Sequence, residues 1–170
     1  MYRAARKPKK LIKSARKKAE FFIGVVFILK NEKGSFTLIE NKSLQNVGMI
    51  TDAIWTDFNN DKKLDLILVG EWMSPVFFEN QNNTLNKINS ILPKNELNGL
   101  WQSIISFDID SDGDEDYILG NFGLNTKFKA TEEFPMKMYV GDLDNNKSIA
   151  CLFVMVVFPG IILVADLSSE

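Results

Sequence analysis

Asp57-Phe-Asn-Asn-Asp-Lys-Lys-Leu-Asp65 and Asp108-Ile-Asp-Ser-Asp-Gly-Asp-Glu-Asp116 align without a gap at an offset of 51 residues. Their flanks agree as well. Ala53-Ile-Trp-Thr precedes the first and Ile104-Ile-Ser-Phe the second, while Leu66-Ile-Leu-Val-Gly70 and Tyr117-Ile-Leu-Gly120 follow. Each unit reads as apolar strand, acidic turn, apolar strand. A second correspondence, at an offset of 49, relates Phe27-Ile-Leu-Lys-Asn-Glu-Lys-Gly-Ser-Phe36 to Val76-Phe-Phe-Glu-Asn-Gln-Asn-Asn-Thr-Leu85. Both of these read as strand, polar turn, strand.

A period near fifty, built from short apolar strands with turn residues between them, points to an all-β array such as a propeller. One complete unit can be drawn, with strands near 53–57, 65–69, 75–79 and 84–88. The acidic loop, Glu71–Ser74 and Asn80–Asn83 join them. Residues 24–40 then form the outer half of a preceding blade, and 103–121 the inner half of the next. The expected fold is all-β, a partial β-propeller of two to three four-stranded antiparallel blades with acidic calcium loops.

The second loop places Asp108, Asp110, Asp112, Asp114 and Asp116 at positions 1, 3, 5, 7 and 9. Carboxylates so close repel one another unless a cation neutralises them. Alternate residues of a tight loop point to one centre, and Gly113 at position 6 permits the sharp turn. So many hard oxygens suit calcium, which takes about 6–8 of them, better than magnesium with its strict octahedron. Position 7 gives its backbone carbonyl, which accommodates Lys63 in the first loop; there Asp57, Asn59, Asp61 and Asp65 supply side-chain oxygens. A partial third copy, Asp142-Leu-Asp-Asn-Asn-Lys-Ser-Ile-Ala150, begins 34 residues after the second. Asp142, Asp144 and Asn146 match the first half of the motif, but Ala150 stands where the last acid belongs. An EF-hand is excluded, because Leu68 and Leu119 occupy the position of its bidentate glutamate and the flanks are strands. Empty, solvated polar turns are the alternative; two loops in register favour a cation. Charge count ranks the loops second, first, third in affinity.

The stretches Thr51-Asp-Ala-Ile-Trp-Thr-Asp-Phe-Asn-Asn-Asp, Leu64-Asp-Leu-Ile-Leu-Val-Gly-Glu-Trp72 and Phe107-Asp-Ile-Asp-Ser-Asp-Gly-Asp-Glu-Asp resemble FG-GAP/VCBS repeats. These are the calcium-binding β-propeller repeats of integrin α-subunit heads and many bacterial surface proteins. Leu119-Gly-Asn-Phe-Gly-Leu-Asn-Thr-Lys-Phe-Lys129 is similar to the stretch after the loop in bacterial members. The resemblance covers roughly residues 24–150. It implies that Asp57, Asn59, Asp61 and Asp65, and Asp108, Asp110, Asp112 and Asp116, are calcium ligands. It also implies a fragment, since the family's propellers hold more blades than the two to three expected here.

Composition narrows the chemistry. The chain has 170 residues, 45% apolar and 25% charged, so it can bury a core. It has no histidine, which excludes an imidazole base, a His-dependent nucleophilic site and imidazole metal sites. Cys151 is the single cysteine, so there is no internal disulfide. Residues 1–18 carry nine of the twenty basic residues and no acid, leaving a body with 11 basic against 22 acidic residues. An acidic body argues against nucleic acid and for cations.

Three segments follow: a basic arm at 1–20, repeat blades at 21–150 and an apolar segment outside the pattern at 151–170. The basic run followed by Phe21–Leu29 has the layout of a secretion signal. Lys30-Asn-Glu-Lys33 stands where a cleavage site would be, however, and the offset-49 correspondence puts Phe27–Leu29 on a strand. Ile149–Ala165 is seventeen residues without a charge, the lower limit for a membrane span. Pro159-Gly160 interrupts it, which favours two buried strands.

The reading is a non-enzymatic calcium-binding repeat module of an extracytoplasmic surface or secreted protein, serving adhesion or binding of a glycan or protein. Trp72, Trp101 and Phe122 lie beside loops, as a stacking platform or as core. The alternatives are a surface protein anchored in a membrane by residues 149–165 and a hydrolase fragment using paired carboxylates. An open array would leave Val25, Phe27, Leu29, Phe153 and Val157 on uncovered faces. Self-association, or blades supplied by a longer parent, is therefore expected.

Overall fold

Leu66-Ile-Leu-Val69 is a run of four apolar residues, and a strand can bury such a run only if both of its faces are covered. All four are at most 2% exposed. The structure, a computed structural model, describes residues 26–89, 91, 97–123, 130–141 and 145, and the backbone of 150–158 and 161–166. The apolar run lies in β4 (Asp65–Met73). One edge of β4 pairs with β3 (Met49–Thr56) through Ile54↔Ile67 and Ala53↔Leu68. The other edge pairs with β5 (Val76–Gln81) through Leu66↔Phe78 and Leu68↔Val76, and β5 pairs in turn with β6 (Thr84–Ile88). The result is the antiparallel four-stranded meander expected from the repeat.

One expected turn is absent. The sequence places a connection at Glu71–Ser74, but β4 continues through Met73 and only Ser74-Pro75 separates it from β5. The reason is a pairing from far along the chain: Glu71 and Met73 align with Leu100 and Gly99 of β7 (Gly99–Phe107). Trp72, at φ 59°, is the bulged residue between them. β7 continues the sheet into β8 (Asp116–Asn121), with Ile105↔Ile118 in register. Asp52 Oδ2 accepts from the Ile104 amide at 3.0 Å, and Thr51 Oγ1 donates to the Trp101 carbonyl at 2.8 Å. These bonds tie β3 to β7.

Alternation along β4 sends its side chains into two cores. Leu66 and Leu68 pack with Leu44, Met73, Val76, Phe78 and Leu85 on one face. Ile67 and Val69 join Ile104 on the other, with Phe58, Phe77, Trp101, Tyr117 and Leu119 around them. The rings of Phe58 and Phe77 meet edge to face at 5.4 Å. Gly70 lies under the Met49 carbonyl, where an added Cβ would collide with backbone. Gly70→Ala is expected to cost about 1–3 kcal/mol as β3 is forced away. A urea midpoint equal to that of the wild type would contradict this close approach.

β1 (Ile28–Glu32) and β2 (Ser35–Ile39) form a hairpin whose turn, Lys33-Gly34, has φ of 51° and 94°. Both angles are the left-handed values that a two-residue hairpin needs. Val26 and Ile28 pack on the first core; Ile28 and Leu29 lie in β1, Phe27 just precedes it, and Phe21–Val25 lie outside the described residues. Phe27 is 45% exposed. Ile105, Phe107 and Ile118 make a further exposed apolar face on β7 and β8. Val25 lies outside the described residues, and Phe153 and Val157 belong to a strand described by its backbone.

The chain divides into two compact units, up to Asn121 and from Phe122. In the second, β9 (Lys137–Gly141), β10 (Ala150–Phe158) and β11 (Ile161–Asp166) form an antiparallel sheet in the order β9-β10-β11. The uncharged stretch is thus two strands rather than one helical span, and the sheet runs across position 150. Among the described residues no helix is long and apolar enough to cross a membrane.

Candidate metal centre

Both acidic loops leave a strand, β3 or β7, and return in its antiparallel neighbour, β4 or β8. Their backbones match in detail. Positions 4 and 6 are left-handed in each: Asn60 and Lys62 at φ 59° and 67°, Ser111 and Gly113 at 61° and 95°. Asn145, at position 4 of the third copy, has the same conformation at 59°. Glycine takes this conformation without strain, whereas Lys62 adopts it at a cost of about 1 kcal/mol. The first aspartate offsets that cost. Asp57 accepts from the amides of Asp61 at 3.0 Å and Lys62 at 2.7 Å, and Asp108 accepts from Asp112 at 3.2 Å and Gly113 at 3.0 Å. The fifth position then closes the next turn, with Asp61 accepting from the Lys63 amide and Asp112 from the Asp114 amide.

The charges around the two loops differ. In the second loop Asp108, Asp110 and Asp116 each bring an oxygen within 4.8 Å of the others. Asp116 Oδ2 also accepts from the Ile109 amide at 3.0 Å, which closes the loop's base. Asp114 is exposed; a hydrogen bond shared with Asp112 and the charges of Asp112, Asp116 and Asp110 raise its carboxyl above the usual range. In the first loop the Lys63 ammonium, at position 7, lies 2.7 Å from Asp61 Oδ2. That bond holds the Asp61 carboxyl below the usual range and raises Lys63. Asp65 is fully buried. Its Oδ1 accepts from the Asn80 amide at 2.7 Å, while Oδ2 has no hydrogen-bond partner among the described residues. Burial raises the Asp65 carboxyl, and the charges of Asp61, Asp57 and Glu79 add to the effect.

The loops also touch. Thr56, buried just before Asp57, shares a 2.8 Å hydrogen bond with the Tyr117 hydroxyl and donates to Glu115 Oε2 at 3.4 Å. Glu115 and Tyr117 flank Asp116, so the end of β3 that opens the first loop is tied to the start of β8 that closes the second.

Of the residues singled out in the sequence, Asp57, Asn59, Asp61 and Asp65 share the first loop, and Asp108, Asp110 and Asp116 converge in the second. Asp112 shapes its loop through the Asp114 amide, and Asp114 is exposed. Asp142, Asp144 and Asn146 lie outside the described residues. Two neighbours escaped the motif. Asn80 and Glu79 reach the first loop from β5: Asn80 also donates to the Leu64 carbonyl at 3.0 Å, and Glu79 accepts from Asn59 Nδ2 at 3.4 Å. The acidic pattern carries no sign of them, because strand register alone brings them there. Trp101 packs in the second core and donates to the Leu97 carbonyl at 3.0 Å, so it serves packing. Phe122 is exposed.

Residues 57–119 match the family model of the FG-GAP-like repeat. The match starts on the first acid of one loop and ends in the strand after the other. This part of the chain is therefore similar to a repeat of that kind, in agreement with the resemblance read from the sequence. No curated protein and no solved structure matches the chain.

Proposed function

We propose that this FG-GAP-like repeat is a calcium-binding, non-enzymatic module of a secreted or cell-surface protein, which presents its loops to a glycan or protein. The observation that carries the reading is Asp65 Oδ2, a carboxylate oxygen shut off from water with no donor to meet it among the described residues. An ionised carboxylate so placed is costly unless it is paired or ligates a metal. Its near neighbours Asp57 and Asp61 are acidic too, so a cation answers the need better than another donor would.

The donors available are carboxylate, amide and carbonyl oxygens, a hard set that suits calcium. Asp57, Asn59, Asp61 and Asp65, with the Lys63 carbonyl, would hold one ion. Asp108, Asp110, Asp112 and Asp116, with the Asp114 carbonyl, would hold the second. Bound calcium supplies positive charge that relieves carboxylate repulsion and fixes the ends of the strand pairs. The chain's own contribution is the loop geometry, which Asp57 and Asp108 set through backbone amides. The paired carboxylates of the two loops are taken up in this role. Millimolar calcium outside the cytoplasm matches extracellular modules that bind at about 0.1–1 mM.

At ~2 mM calcium each occupied site is expected to add roughly 0.5–2 kcal/mol by mass action. Thermal melts of the chain in calcium and in EDTA should then differ by several degrees. Coincident melts would overturn the calcium reading.

A further inference from the structure

We propose that Glu79, on β5 and outside the acidic loop, is a positioning residue of the first cation site, acting by fixing which end of the Asn59 amide faces the loop. The inference rests on the calcium reading of that loop, for which the buried, unpartnered Asp65 Oδ2 is the independent sign.

Asn59 stands at position 3, where the second loop has Asp110. A carboxylate presents an oxygen whichever way its plane turns. An amide does not: a half-turn exchanges its acceptor for an NH2 group, which would repel a cation. Asn59 is held by its two ends. Its Oδ1 accepts from the Asp61 amide at 3.0 Å, the same N–H that Asp57 Oδ1 accepts at 3.0 Å, so both oxygens gather at one side of the loop. Its Nδ2 donates outward to Glu79 Oε1 at 3.4 Å. Glu79 is in turn fixed by Gln81, whose Nε2 donates to Oε2 at 2.9 Å. A flipped Asn59 would set its oxygen against the Glu79 carboxylate and its NH2 against the Asp61 N–H. Both contacts are unfavourable. Partners of this kind behind a metal ligand orient it, and their loss typically weakens binding by about 10–100-fold.

Glu79 could also act by charge alone, since it adds to the field at Lys63 and Asp65. The two roles separate in a calcium titration of the full chain with the second loop disabled by Asp110→Ala. With Asn59 in place, Glu79→Leu, which removes the oxygen that accepts from Asn59 Nδ2, is expected to weaken calcium binding by about tenfold. With Asn59→Asp present, whose oxygens are equivalent, the same change is expected to cost no more than about threefold, the size of a screened charge effect. Equal losses in the two backgrounds, or no loss with Asn59, would overturn the positioning role while leaving the calcium reading intact. No binding heat even with Glu79 and Asn59 in place would overturn both.

Discussion

Replacing Phe78 by alanine is expected to cost about 3–5 kcal/mol, because the ring is fully buried and the site cannot close over the space it leaves. That is a large part of the roughly 5–15 kcal/mol that holds a domain folded. Phe78 sits opposite Leu66 in the β4–β5 register and packs with Leu44, Leu68, Val76 and Leu85. The damage would extend beyond the core. Glu79 and Asn80 follow Phe78 directly, and the Asn80 amide is the donor that holds Asp65 Oδ1. A β5 strand loosened from β4 would release that carboxylate, so the variant should lose calcium response at the first loop together with its urea midpoint. Phe77→Ala is the internal comparison: its side chain is half-buried on the opposite face against Phe58, and the loss should be smaller. A Phe78→Ala variant within about 1 kcal/mol of the wild type would contradict the packing described.

What was legible in the sequence was local. The run Leu66–Val69 and the two acidic loops specify strands because an apolar run followed or preceded by Asp/Asn/Gly turns has few other solutions. The uncharged stretch likewise holds two strands, β10 and β11, as the Pro159-Gly160 pair in the sequence suggests. What was not legible depends on pairing between distant residues. The end of β4 could not be read from Glu71-Trp-Met-Ser, since β7, some thirty residues later, is what keeps those residues extended. The site shows the same division. The ligand candidates are spaced along one loop and can be counted, but Glu79 and Asn80 are delivered by the register of β5 on β4. Lys62 in a left-handed conformation is intermediate: a lysine gives no hint of it, yet its alignment with Gly113 in the second loop does.

Asp65→Asn is expected to act with opposite signs in the two metal conditions. In EDTA the wild type holds a buried carboxylate with one unmet oxygen, and an amide of the same shape removes the charge. The variant should therefore be more stable than the wild type without metal, by about 1–3 kcal/mol. In calcium the order should reverse, since the amide cannot supply the charge that pairs with the ion. The pH dependence follows from the same cause. Burial holds the Asp65 carboxyl above its ordinary value, so the folded state keeps this proton over a range where the unfolded chain has lost it. Where the folded state binds more protons, stability falls as pH rises. The wild type in EDTA should thus lose stability relative to Asp65→Asn from the ordinary aspartate value of about 4 upward, and the loss should stop once the raised value is passed. Calcium favours the ionised form and should remove this decline. Chemical denaturation of both proteins across the acid range, with and without calcium, measures the difference. If Asp65→Asn is destabilised equally in EDTA and in calcium, Asp65 is a structural acceptor for the Asn80 amide and not the seat of a cation.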